Sequence, residues 1–319
     1  MAIRTALTDM LGIPHPVMLA GMGGVSYAEV CAAVSEAGGF GSLGMAGTTP
    51  KFIESQMKRV RELTDKPFGV DLLAAQPESL TASVEVIIAH GARAFIAGLG
   101  VPYPIVKQLK DAGILVAAMV GKVDHARKAE QAGCDFVIAQ GTEGGGHTGA
   151  VASVALWPQV VDAVKIPVVA AGGLYDGRGL AAALALGCVG VWMGTRFIAS
   201  EEAHAGAPYK EAIVKMSEAD TVVSRGFTGK TLRAIRNRTT EQFEKEPAKP
   251  FPLQAMESAQ LNRLGPIAGV TENLDPETQC FAAGQGGGGV HEILPCRTIV
   301  ENTVAEAEAV LNRLGRIAA

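Results

Sequence analysis

Short apolar runs recur along the first two-thirds of the chain at nearly even intervals, each bounded by glycine or polar residues. They are PVMLA (16–20), FGSLG (40–44), FGVDLL (68–73), ARAFIAG (92–98), ILVAAMV (114–120), DFVIAQ (135–140), IPVVAAGG (166–173) and CVGVWMG (188–194). The runs are continuous and rich in Val, Ile and Ala, as parallel strands buried on both faces are. Between them, apolar residues recur at helical spacing. Ser26-x-x-Glu29 has capping-box spacing ahead of Val30, Ala33, Val34 and Ala37, and Gly38-Gly39 ends that helix. Thr49-Pro50 opens a second helix with Phe52, Ile53, Met57 and Val60 on one side. Further helices are predicted over Pro77 to His90, 102–112, 124–132, 154–164 and 178–186. Eight strands, seven of them followed at once by a helix, predict the α/β class. Uninterrupted repetition favours a closed (β/α)8 TIM barrel over a doubly wound sheet.

The rhythm stops after Phe197. Residues 1–203 are assigned to the barrel, 204–275 to a smaller, mainly helical insert or lid, and 276–319 to a segment returning to the barrel. In the insert, helices are predicted over Tyr209 to Met216 and Thr228 to Glu244, with GFTGK (226–230) as the turn between them. Residues 247–275 are proline-punctuated and read as loops around one short helix. Ile299 to Leu314 carries Val300, Val304, Val310, Leu311 and Leu314 on one face, a helix suited to closing the barrel.

Composition narrows the class. Apolar residues are 48% and charged residues 19%, enough to build a large core. A net charge of -4 offers no basic excess for a nucleic-acid partner. The longest apolar stretch, 179–195, is broken by Gly187, Gly190 and Gly194 and reads as a buried helix and strand, not a membrane span. The start has no apolar h-region, and Cys31, Cys134, Cys188, Cys280 and Cys296 show no disulfide or metal spacing. A cytoplasmic protein with reduced thiols is expected. Glycine numbers 39 residues, about 12% against roughly 7% in average chains, and is clustered.

In a TIM barrel the chemistry sits in the loops that follow the strands, and there the glycines fall. The seventh loop (Gly172, Gly173) and the eighth (Gly194, Thr195) together suit a phosphate, because phosphate sites in such barrels use these loops and their backbone amides. His147 follows Gly144-Gly145-Gly146 in the sixth loop, where an imidazole with little bulk around it suits proton transfer to a flat ligand. The other histidines lack such a setting. Asp71 interrupts the third apolar run and is either a group at the barrel mouth or half of a structural ion pair. Gln140 ends the sixth run as an amide suited to a polar heterocycle. No His, Asp or Glu set has metal-ligand spacing, so no catalytic metal is expected. The GQGGGGV run (284–290) is either a turn or part of the pocket wall.

GIPHPVMLAGMGGVS, LTDKPFGVDLL, AQGTEGGGHTG, PVVAAGGLYDGRGLAAALALG, VWMGTRF, LRAIRNR and AGQGGGG follow one another in an order that resembles the nitronate monooxygenase (2-nitropropane dioxygenase) family. These are FMN-dependent TIM barrels that include the FMN-type enoyl-acyl-carrier-protein reductases of bacteria. The resemblance implies FMN, with its phosphate near Gly172, Gly173, Gly194 and Thr195, its ring near Gly21, Met22 and Gln140, and Asp71 and Gly145 close by. It implies that His147 is the active-site histidine. Asp71 stands where the family commonly has Asn, and Gly144 where it commonly has Ala. Two reactions follow from the resemblance. One is oxidation of an alkyl nitronate with oxygen. The other is reduction of an enoyl thioester or a quinone by NADH or NADPH, with acyl carrier protein and a homodimer as possible partners. The basic residues Lys210, Lys215, Arg225, Lys230, Arg233, Arg236 and Arg238 are either a solvated face or a lid attracting a phosphopantetheine carrier or a nucleotide. A flavin-free barrel aldolase or isomerase is the alternative class, and colourless protein would mark it.

Overall fold

The computed structural model describes residues 3–73 and 77–317. A first helix, α1 (Ala6–Leu11), precedes the barrel, and strands then alternate with helices. β1 (Val17–Leu19) leads to α2 (Ala28–Glu36), β2 (Gly41–Gly44) to α3 (Pro50–Leu63), and β3 (Phe68–Leu72) to α4 (Pro77–Ala89). β4 (Ala94–Ala97) leads to α5 (Val106–Asp111), β5 (Leu115–Val120) to α6 (Val123–Gln131), and β6 (Phe136–Gln140), through a short strand β7 (Gly146–His147), to α7 (Ser153–Ala163). β8 (Val168–Ala171) and α8 (Gly177–Ala185) precede β9 (Val191–Met193), which ends in the single turn α9 (Thr195–Ile198). All eight predicted runs are barrel strands.

The barrel strands pair in parallel in the order β1-β9-β8-β6-β5-β4-β3-β2. The two ends meet at a Met18–Phe40 bridge, where Leu19 N–H donates to the Phe40 carbonyl at 2.9 Å and closes the (β/α)8 barrel. Met18, Phe40, Ile96, Phe136, Ile138, Val169 and Trp192 fill its interior, and Leu7 and Leu11 of α1 cover the N-terminal end. The alternate strand residues, such as Phe68, Val70 and Leu72, pack outward under the helices. All five cysteines are free and buried. Burial pushes the Cys134 and Cys188 thiols up to about 12, so they act as core residues.

Thr49 caps α3 as its spacing predicts, its hydroxyl accepting from Phe52 N–H at 3.2 Å. Ser26 does not cap α2. Its hydroxyl accepts from Met22 N–H at 2.6 Å and donates to the Met22 carbonyl at 3.1 Å, folding the first loop back over the barrel mouth.

Beyond β9 the chain forms α10 (Ala207–Lys215), then β10 (Thr221–Ser224) and β11 (Leu232–Ile235) around the 226–230 turn, then α11 (Arg238–Lys245) and α12 (Leu253–Gln260). The helix expected over Thr228–Glu244 therefore begins only at Arg238. Its first part is a strand because Leu232 and Ala234 alternate with Arg233 against a small core of Phe227 and Cys280, and because the edge of β7 is open to pair with it. β10, β11 and β7 form one antiparallel sheet, with Leu232 opposite His147 and Arg233 opposite Gly146. The last helix, α13 (Cys296–Ile317), returns to the barrel and lies against α8 and α2. No helix of the described residues is long and apolar enough to cross a membrane.

Candidate active site

Asp71 points inward from the penultimate position of β3, and the chain is shaped around it. It is only 5% exposed. A side chain at Gly21 would fall 2.2 Å from its Cβ, and one at Gly98 would fall 2.6 Å from Oδ1. Among the described residues its carboxyl has no ion pair and no hydrogen bond, so the structural ion pair considered from the sequence is not formed. Burial without a cation pushes the carboxyl well above its ordinary range, which favours the protonated form, the one able to donate a hydrogen bond.

The neighbouring loops meet around it. Gly194 lies under Met22, whose sulfur would sit 3.2 Å from a side chain there. Gly172 and Gly173 both adopt positive φ, 99° and 72°, and the N–H groups of Gly172, Gly173 and Thr195 make no hydrogen bond among the described residues. Thr195 Oγ1 accepts from Gly284 N–H at 2.9 Å, which ties the eighth loop to the glycine run. That run is a short 3-10 helix (Gln285–Gly289), and a side chain at Gly287 would strike the Met216 sulfur at 2.5 Å. A side chain at Gly286 would press on the Gly173 carbonyl at 2.9 Å. The GQGGGG segment is thus a wall beside the seventh and eighth loops. Gly145 completes it, packed on Ala283 and Gly284.

His147 stands on the opposite lip and keeps contact with solvent. Its Nε2 lies 3.0 Å from Thr228 Oγ1, and its carbonyl accepts from the Gln140 amide at 3.0 Å. Gln140 therefore braces the histidine loop with its nitrogen and keeps its oxygen for other partners. Desolvation, and secondly the charge of Lys230, hold the imidazole below its ordinary pKa, favouring the form that accepts a proton. Arg233, 8% exposed, donates to the Thr142 carbonyl at 2.9 Å and to Thr221 Oγ1 at 3.0 Å, clamping the sixth loop to the hairpin. Glu143 of the same loop accepts from Ser153 N–H and Oγ at the start of α7.

All the residues singled out from the sequence, His147, Gly21, Met22, Asp71, Gln140, Gly145, Gly172, Gly173, Gly194 and Thr195, lie at the C-terminal mouth of the barrel. Sequence reasoning missed Thr228 and Glu143, and it read Arg233 as one cation of a solvated face or lid, whereas the residue is buried and clamps the sixth loop. GFTGK was legible as a turn, but nothing local to it signals that Thr228 reaches a histidine eighty-one positions earlier.

The nitronate monooxygenase family model matches residues 4–83 and 78–306. The chain is 42% identical over 242 residues to the "(3aS,4S,5R,7aS)-5-hydroxy-7a-methyl-1-oxo-octahydro-1H-indene-4-carboxyl-CoA dehydrogenase" of Rhodococcus jostii (strain RHA1), covering 76% of this chain and 68% of that one. It is 34% identical over 285 residues to a probable nitronate monooxygenase of Staphylococcus aureus (strain MSSA476), covering 75% and 80%. Among solved structures, FabK from Thermotoga maritima superposes with a TM-score of 0.91 at 38% identity over 99% of both chains. A nitroalkane oxidase from Streptomyces ansochromogenes does so with a TM-score of 0.88 at 31% identity, over 97% and 100%. With a barrel whose mouth gathers the glycine loops, Asp71 and His147, and a family model matched over nearly its whole length, this chain belongs to the nitronate monooxygenase family of flavin oxidoreductases.

Proposed function

We propose that the chain binds FMN across the barrel mouth and oxidises alkyl nitronates with oxygen, with His147 as the proton-transfer residue. The observation that carries this reading is geometric: one barrel mouth gathers the unpaired N–H groups of Gly172, Gly173 and Thr195, the buried carboxyl of Asp71 and, on its lip, the His147 imidazole. The residues present suit a flavin phosphate and ring. Unpaired N–H groups at Gly172, Gly173 and Thr195 would hold the phosphate, and Gly21, Met22, Gly145 and the Gln140 oxygen would line the ring. Asp71, buried and unpartnered, would donate its O–H to a ring acceptor. Bound there, FMN supplies electron transfer between substrate and oxygen, or hydride transfer from a nicotinamide.

The chain's own contribution is positional and electrostatic. His147 in its neutral form accepts the α-proton of a nitroalkane, and Thr228 at Nε2 fixes the plane of its ring. Gln140 and the β7–β11 pairing hold the backbone of that histidine in place. A second reading, NADH- or NADPH-dependent reduction of an enoyl thioester or quinone, is favoured by one observation. The turn that carries Thr228 continues into a groove lined by Arg225, Lys230 and Lys249, which suits a substrate with an anionic tail. The relative named as a carboxyl-CoA dehydrogenase supports the thioester form.

The deciding experiment is anaerobic. The purified, FMN-loaded protein is mixed separately with an alkyl nitronate, NADH and NADPH while the visible flavin absorbance is followed. Bleaching by nitronate alone establishes the first reading; bleaching by a nicotinamide alone moves the assignment to thioester or quinone reduction. His147→Gln is expected to keep the yellow colour and lower turnover of a neutral nitroalkane about 100- to 10,000-fold. Unchanged turnover in that variant would remove His147 from the chemistry.

A further inference from the structure

On the insert, behind the turn that carries Thr228, lies an open cavity of about 420 Å³ lined by Arg225, Gly229, Lys230, Lys249 and Phe251. Its construction is specific. Gly229 has φ of 81°, and a side chain there would fall 2.5 Å from Phe251 N and 2.7 Å from the Lys249 carbonyl. A glycine is therefore needed for the turn to lie flat against the 249–251 segment and bring cations from both sides into one groove. Lys249 is matched by Glu257 at 2.9 Å. Arg225 and Lys230 have no carboxylate partner among the described residues, and Lys230 Nζ instead sits 4.3 Å from the centre of the Phe251 ring. That ring is 46% exposed. Two uncompensated positive charges beside an accessible aromatic ring stand out on a chain of net charge -4.

The groove is wired to the active site. Lys230 N–H donates to Thr228 Oγ1 at 3.3 Å, and the same oxygen lies 3.0 Å from His147 Nε2. Two unpaired cations match the two charges of a pyrophosphate, and an exposed aromatic ring suits the stacking of a purine. A volume of about 420 Å³ is within the range of small-ligand sites.

We propose that this groove seats the adenosine diphosphate headgroup of a long ligand whose other end reaches His147. Two ligand classes carry that headgroup, a coenzyme A thioester and a nicotinamide dinucleotide. The inference rests on the reading of the barrel mouth as a flavin site, and it assigns Arg225, Lys230, Lys249 and Phe251 to recognition of the distant end of the substrate or reductant.

The test is calorimetric titration of the FMN-loaded protein with coenzyme A, NADH and NADPH in separate arms, at low and at high salt. At least one is expected to bind. Its Kd should rise about ten-fold or more in Arg225→Glu, should rise also in Phe251→Ala, and should weaken with added salt. Binding of coenzyme A alone assigns the groove to a thioester; binding of a dinucleotide alone assigns it to the reductant. Flavin content and melting temperature equal to the parent's show that the variants are folded. No binding in any arm, or a Kd unchanged within two-fold in both variants, overturns the proposal. The two readings fail separately: protein that takes up no FMN removes the flavin reading, whereas the groove is judged by the Kd of Arg225→Glu and Phe251→Ala, residues of the insert outside the barrel mouth.

Discussion

At the scale of single residues, the least ordinary group is Asp71, a carboxyl buried with no cation beside it. In the unfolded chain it ionises at an ordinary carboxylate pKa, whereas in the folded chain it keeps its proton to much higher pH. Folding therefore takes up a proton in that interval, and stability present at acidic pH is lost as the pH rises toward the folded value. Asp71→Asn keeps the shape and removes the charge. In flavin-free protein the variant should match the parent near pH 4 and become the more stable of the two by pH 7.5, measured by urea unfolding at both pH values. A difference that does not change with pH would mean that the carboxyl is ionised in the folded chain. His147 has the opposite dependence. Its proton is lost below the ordinary histidine value, so activity that needs the neutral ring rises with pH through that lowered value. Desolvation is the larger cause and Lys230 the smaller. Lys230→Gln should therefore move the acid limb of kcat/KM upward while leaving it below the ordinary histidine value, because desolvation persists; a downward shift would contradict the assigned charge effect.

At the scale of elements, the sixth loop is held from outside the barrel. His147 and Gly146 pair with Leu232 and Arg233, and the Arg233 guanidinium bonds to Thr142 and Thr221. Arg233→Met would leave those oxygens unpaired in a buried place. The expected cost is about 2 kcal/mol in denaturant unfolding, with faster amide exchange at residues 146–147. Unchanged exchange there would show that the hairpin does not brace the histidine. This clamp also marks the limit of what the sequence makes legible. All eight barrel strands and the glycine loops announce themselves, because a parallel strand buried on both faces has a local signature and the loops after it have a known place. The hairpin does not. Thr228 to Ile235 carries as many apolar residues as a helix would, and the strand is chosen by the open edge of β7, a partner far away in sequence. Ser26 misleads for a related reason: its spacing to Glu29 is that of a cap, but its hydroxyl finds the Met22 backbone first. Asp71 was visible as an oddity in an apolar run, while its lack of a partner depends on Gly21 and Gly98 closing around it.

At the scale of the whole molecule, chain order and spatial order part company after β9. The turn that follows β9, α9, has four residues, too short to cover the gap between α8 and α2. α13 fills that gap from the far end of the chain, burying Cys296, Ile299, Val300, Thr303, Val304 and Ala307. The contact with α8 is close enough that a side chain at Gly177 would fall 2.3 Å from the Thr303 carbonyl. Arg196 of α9 fastens the returning segment, donating to the Glu292 carbonyl at 2.6 Å. The insert is consequently tethered to the barrel at both ends and cannot come free while the barrel stands closed. Barrel and insert are expected to unfold in one transition. Ile299→Ala, which hollows the α13 contact, should lower stability by about 2–4 kcal/mol and shift the whole transition together. The measurement is urea unfolding followed in parallel by tryptophan fluorescence and far-ultraviolet circular dichroism. Trp157 and Trp192 are both buried in the barrel and report on it alone, whereas dichroism also reads the insert helices. Midpoints that separate in the variant would show that the insert and α13 form a unit of their own; coincident midpoints would mean that the last helix holds the molecule together as one cooperative body.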